Sequence, residues 1–155
     1  MHHKFNPTDK FQPHKDEELI KRSALKIIDF VVNEQDVHPH VWDIIIGYMQ
    51  WSLTEIKKNL KYNTRYYSEK ALEQREPLRH EHVYPQKYIR NLILTNNQKF
   101  LDIIPKMIGC TVTKTEANIL TKNDRNNPEL QSQGWNRYKK AGIKVFDRLK
   151  QRFLW

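Results

Sequence analysis

The sequence predicts an α+β fold, a mainly helical single domain carrying a small two- or three-stranded β element. Three observations lead there. A chain of 155 residues suits one hydrophobic core of common size. Apolar residues recur at helical spacing over most of its length. Only two short runs, Gly109-Cys110-Thr111-Val112 and Ile143-Lys144-Val145-Phe146, have the β-branched character of strands.

Residues 1–15 mix His, Lys, Pro, Asn and Gln without periodicity, which predicts a flexible arm ahead of a globular domain over 16–155. From Asp16 the pattern changes. Ile20, Ala24, Ile27, Ile28 and Val31 mark one face of a helix over 17–33, and Asp16, Glu17 and Glu18 supply negative charge at its N-terminus. Pro39 suits the first turn of a second helix that buries Val41, Ile44, Ile45 and Tyr48 and runs through Trp51 toward Leu60, with Ile27, Ile28, Ile44 and Ile45 between the two helices. Gly47 permits close packing.

The stretch 61–78 is a polar connector with a short helix from Ser68 that ends before Pro77. A further helix covers Tyr84 to Leu94, with Tyr88, Ile89, Leu92 and Ile93 on its inner face, and Thr95-Asn96-Asn97 breaks it. Phe100 to Met107 forms another short helix, interrupted near Pro105. Thr113-Lys114-Thr115-Glu116 is a capping box, so a helix starts there and carries Ile119 and Leu120. The run 121–134 is expected as a loop. A short helix over 135–140 is closed by Gly142, and residues 143–146 form a strand paired with the one near Val112. The end, 147–155, is expected to be helical, anchored by Leu149, Phe153 and Trp155.

The net charge of +9 is unevenly spread. Residues 1–62 hold nine basic and nine acidic residues, whereas residues 63–155 hold eighteen and nine. The second part is therefore suited to a polyanion, with nucleic acid as the leading partner and an acidic protein surface as the other. No run approaches the roughly 18 apolar residues of a membrane span, and the N-terminus lacks the apolar segment of a signal peptide, so no membrane partner and a cytoplasmic location are expected. The single Cys110 excludes an internal disulfide and a cysteine-rich zinc cluster. With four glycines and no Gly-rich phosphate loop or nucleophile elbow, the chain has no signature of nucleotide hydrolysis or of serine chemistry.

The candidate chemistry centres on Glu81-His82. A carboxylate can hold a hard divalent cation while a neutral imidazole takes a proton from an attacking hydroxyl. Basic and aromatic residues surround the pair. Arg79, Lys87 and Arg90 are near it, and Arg137, Lys139 and Lys140 lie toward the C-terminus; such cations hold phosphates while aromatic faces stack on unpaired bases. His38-Pro39-His40 and His80-Glu81-His82 are also two H-x-H pairs, whose four imidazoles suit a transition metal if they meet.

Glu81-His82-Val83-Tyr84-Pro85 resembles the acid-His-apolar-x-Pro opening of HNH nucleases, over about a quarter of the chain. The resemblance implies a ββα-metal fold in which Glu81 binds Mg²⁺ or Mn²⁺ and His82 is the general base. Asn97, fifteen residues after His82, would orient that base. The family's later His ligand has no counterpart, since no histidine follows His82, and Glu116 is the substitute ligand available. The function expected is that of a nucleic-acid-acting protein, in its sharper form a metal-dependent phosphodiester-cleaving nuclease. The alternative is a non-catalytic module that binds nucleic acid or an acidic protein.

Overall fold

The computed structural model describes residues 6–34, 36–54, 62–95 and 100–155. It is an α+β arrangement in which one helical cluster and one helix-covered sheet share a boundary at Tyr84.

The helical cluster contains α1 (Glu17–Asn33), α2 (Pro39–Thr54), α4 (Gln86–Thr95) and the short α5 (Phe100–Ile103), while the short α3 (Glu69–Leu72), expected from Ser68, belongs with the sheet. Ala24, Ile28 and Val31 of α1 are buried as their spacing requires, but Ile27 is 46% exposed. On α2 the inward stripe is Trp42, Ile46 and Met49, and Ile44 is 58% exposed with Val41 and Tyr48 also on the outside. The expected interface through Ile27 and Ile44 is thus corrected to one centred on Ile28 and Ile46, with Ile45 partly buried. The reason is that α2 is apolar almost all round, so periodicity offers two stripes, and the one with the larger Trp42 packs inward. The expected extension toward Leu60 lies outside the described residues. Gly47 does permit a close approach: a Cβ there would sit 2.6 Å from Nε2 of Gln86, which donates to the Asp43 carbonyl at 3.2 Å.

The second cluster is built on five strands, more than the two or three expected. They are β1 (Tyr66–Ser68), β2 (Leu78–His82), β3 (Gly109–Thr113), β4 (Val145–Asp147) and β5 (Arg152–Phe153), in the order β2-β3-β1-β4-β5. The β1 and β3 strands are parallel and the remaining pairs antiparallel. One strand was expected near Val112 and it is β3. The other, β4, pairs with β1 and not with β3. Strand β1 was expected as part of the polar connector and residues 79–82 of β2 were given no element, because β1 is three residues long and β2, Leu-Arg-His-Glu-His, has the charged composition of an edge strand. The C-terminal helix is replaced by the β4–β5 hairpin: the Asp147 carboxylate accepts the Leu149 and Lys150 N–H groups at 2.9 and 3.2 Å, and Gln151 takes a left-handed φ of 53°.

One face of the sheet is covered by α6 (Lys114–Asn126) and α7 (Trp135–Lys140), which bury Cys110, Val112, Leu120, Tyr138 and Val145 together. The capping box at the start of α6 forms as the sequence predicts. The helix then continues to Asn126 and is followed by a 3-10 turn over Pro128–Ser132, where a loop was expected. Of the N-terminal arm, residues from Asn6 onward are described and part of them is docked. The buried Arg148 donates to the Asp9 carbonyl at 3.1 Å and to the Thr64 carbonyl at 2.7 Å, and the Phe11 N–H bonds the Arg148 carbonyl at 3.2 Å. Among the described residues no helix is long and apolar enough to cross a membrane.

Candidate active site

Strand β2 is one edge of the sheet, and its register decides what Glu81 meets. Glu81 lies opposite Cys110, on the face that α6 and α7 cover, while His80 and His82 alternate to the other side with ring centroids 5.1 Å apart. Because no strand lies beyond β2, a cavity of about 390 Å³ opens along its edge and all three residues line it. Pro85 and Gln86, at the start of α4, and Asp124, Arg125 and Gln131, on α6 and the turn after it, also line the cavity.

The centre of this site is Arg137. Its guanidinium, on a residue only 2% exposed, donates from Nε to Asp124 at 2.8 Å and from one terminal nitrogen to the His82 carbonyl at 3.1 Å. The other terminal nitrogen is 3.7 Å from Glu81. One buried cation thus ties α7, α6 and the end of β2 together, and it sits between two carboxylates. Bidentate and branched contacts of this kind suit a planar guanidinium and no other side chain.

Burial pushes the Glu81 carboxyl above the usual carboxylate range, although Arg137 and His80 pull the other way. Burial also pushes His82 down to about 4, helped by the positive surroundings of His80 and Arg137, so its imidazole is neutral near pH 7. The Nδ1 atom of His82 is buried and has no hydrogen-bond partner among the described residues. A neutral imidazole and a partly desolvated carboxyl thus stand on neighbouring residues of one strand. Beneath them Cys110 and Tyr138 are fully buried, and loss of water raises both their pKa values, so neither is a nucleophile at neutral pH.

The predicted residues divide into groups. Glu81, His82 and Arg137 come together in the cavity. Asn97 lies outside the described residues. Arg79 on β2 and Lys87 on α4 are exposed, as are Lys139 and Lys140 on α7, with Lys139 5.1 Å over the Trp155 ring. Arg90 is paired with Asp43 and so ties α4 to α2. Glu116 is buried at the start of α6, where its carboxylate accepts from Ser68 Oγ at 2.5 Å and from the Thr113 N–H at 2.9 Å. Those bonds all fall on Oε2, and Glu116 is not among the residues that line the cavity. Glu81 and Asp124 both face Arg137, and among the described residues no group of three or more His, Cys, Asp or Glu is arranged to hold a metal ion. The same holds for the two H-x-H pairs, which do not combine into such a group.

Sequence reasoning missed Asp124, Arg125 and Gln131 because residues 121–134 were expected as loop. A signal existed: Ala117, Leu120 and Asp124 continue the helical spacing set by the capping box, which places Asp124 on the buried face. Comparisons with protein families, with curated proteins and with solved structures return no match to this chain.

Proposed function

We propose that the chain acts on nucleic acid and that the β2-edge cavity is where a phosphodiester is bound and cleaved. The observation that carries this reading is the convergence, in one open cavity, of a desolvated carboxyl (Glu81), a neutral imidazole (His82) and an exposed cation (Arg125), with the buried Arg137 fixing the strand end beneath them. In this reading Arg125, Arg79 and Lys87 attract the phosphates. Glu81 and His82 move protons at the reacting oxygens, and Arg137 is a positioning residue. The second reading, a non-catalytic module for nucleic acid or an acidic protein, is favoured by one specific observation, that Arg137 already engages Asp124 and faces Glu81.

The two readings separate when binding and chemistry are measured on the same variants. His82→Ala is expected to leave oligonucleotide affinity within about twofold, since a neutral ring attracts phosphate weakly, and to reduce cleavage about a hundredfold or more. Single-stranded and duplex substrates are each assayed with Mg²⁺, with Mn²⁺ and with chelator. Retention of full cleavage by His82→Ala would remove the catalytic assignment, and binding with no cleavage under any condition would leave the module.

A further inference from the structure

The apolar stripe of α2 that the core does not use stays at the surface, and α1 carries another beside it. Leu19, Ile27 and Phe30 repeat at helical spacing on α1, as Val41, Ile44 and Tyr48 do on α2, and these six are the majority of the large apolar residues exposed among the described residues. Residues 34–38 join the two helices, so α1 and α2 run antiparallel as a hairpin, and both stripes border its outer groove. Single apolar residues on a surface need no explanation, but stripes on two neighbouring helices mark a face that another surface covers.

We propose that this face is covered by a second copy of the chain, the two hairpins packing antiparallel about a two-fold axis into a four-helix bundle. Shape is the first argument. The groove holds a cavity of about 430 Å³ between Leu19, Ser23 and Ile27 of α1 and Tyr48 and Met49 of α2. Phe30, Val41 and Ile44 lie outside it, toward the turn. Hole and knobs thus share one face and are displaced along the hairpin. A two-fold axis between them seats the knobs of each copy in the hole of the other, which is the reciprocity an isologous interface requires. Four helices packed in this way bury the stripes that a lone hairpin leaves in water.

Charge is the second argument. Residues 29–40, around the turn, contain Asp29, Glu34 and Asp36 and no Lys or Arg. At the other end, residues 14–26 hold Lys15, Lys21, Arg22 and Lys26 against Asp16, Glu17 and Glu18. Lys21 engages Glu17 and Glu18 at 2.6 and 3.4 Å, while Lys15 and Arg22 are exposed. The rotation that seats the knobs also brings the acidic turn of each copy to the Lys15 and Arg22 end of the other. Moreover, residues 1–62 carry no net charge while residues 63–155 carry an excess of nine cations, so identical copies meet at the hairpin without the repulsion that the basic part would impose.

Area is the third. Phe30 and Tyr48, each 67% exposed, and four aliphatic side chains near half exposed present apolar area on the order of 500 Å², taking roughly 150–250 Å² for a whole aromatic side chain. Each partner of a stable complex contributes roughly 800 Å², a size that the stripes reach together with their charged rim.

The test is sedimentation equilibrium of the full chain over roughly 1 to 100 µM, the weak end of the affinities that interfaces of this size reach. The expected result is a concentration-dependent dimer that Phe30→Asp and Ile44→Asp each weaken at least about tenfold, because a charge is then left unpaired in an apolar seat. Both positions are more than half exposed, so both variants should keep the parent's circular dichroism spectrum. Arg22→Glu should weaken the dimer severalfold, and Ile119→Asp, at an exposed apolar position of α6, should dimerise like the parent. A parent that stays monomeric over the whole range would overturn the proposal and leave the face to a partner of another kind. A dimer that Phe30→Asp and Ile44→Asp leave intact would overturn it by placing the contact elsewhere, and one indifferent to Arg22→Glu would overturn the two-fold arrangement.

Discussion

His82 reports on the site through its ionisation. Its conjugate acid is disfavoured in the folded chain, at about 4 against an ordinary value of 6.5, because burial removes the water that would solvate the charge. The sign of the consequence follows from proton counting. Between pH 6.5 and 4 the unfolded chain binds a proton at His82 that the folded chain does not, so this residue's contribution to stability is complete above 6.5 and is lost as pH falls toward 4. The full loss amounts to about 3 to 4 kcal/mol at most, since each pKa unit is worth roughly 1.4. Glu81 acts in the opposite sense: its raised value makes stability fall as pH climbs above the ordinary carboxylate range. The difference between the parent and His82→Gln isolates the imidazole. Urea unfolding midpoints measured from pH 7 to 4 should fall more steeply for the parent than for the variant. Parallel curves would mean that His82 is solvated, and the acid–base pairing would lose its basis.

At the scale of elements, α6 does two jobs that the sequence reveals unequally. Its start is plainly encoded, because a Thr followed three residues later by Glu satisfies two helix-end donors reciprocally, and the Thr113–Glu116 box forms. Glu116 also accepts from Ser68 on β1, so it joins the sheet to its covering helix. Glu116→Ala is expected to lower unfolding stability by about 2 to 4 kcal/mol, the sum of a lost cap and buried donors left unsatisfied, in Mg²⁺ and in chelator alike. A loss seen only with the metal present would restore Glu116 as a ligand. The end of α6 was not legible, because Asn123 to Pro128 has the composition of a turn, and the helix persists through Asp124 by virtue of its pairing with Arg137 from α7. The helices α1, α4 and α7, strand β3 and the Gly142 cap at φ 68° were legible because each rests on a local pattern. Strands β1, β2 and β5 were not: they are short or polar, and their existence depends on partners far away in the chain. The same division applies to the site. Glu81 and His82 are adjacent and could be noticed together, whereas Asp124, Arg125 and Arg137 reach them only through the packing of α6 and α7 on β2.

Taken as a whole, the molecule separates charge from apolar packing. The helical cluster of α1 and α2 lies in the part whose charges cancel, whereas β2, α6 and α7, which build the cavity, lie in the part with a twofold excess of cations. A phosphate backbone approaching the second part gains a sequence-independent attraction that weakens as counterions become plentiful. Within that field the site makes a sharper demand, because among the described basic residues only Arg125 is both exposed and on the cavity wall, whereas Lys139 and Lys140 are surface charges on α7. The most direct measurement of whether a phosphodiester sits at the β2 edge is the salt dependence of single-stranded oligonucleotide binding by Arg125→Glu beside the parent and Lys140→Glu. The parent's affinity should fall steeply with salt. Arg125→Glu should bind at least about tenfold more weakly with a log–log slope smaller by roughly one, the signature of a lost phosphate contact, and Lys140→Glu should change affinity much less. Equal binding by parent and Arg125→Glu would contradict the placement of the phosphate in the cavity, and absence of binding by the parent at low salt would contradict nucleic acid as the partner.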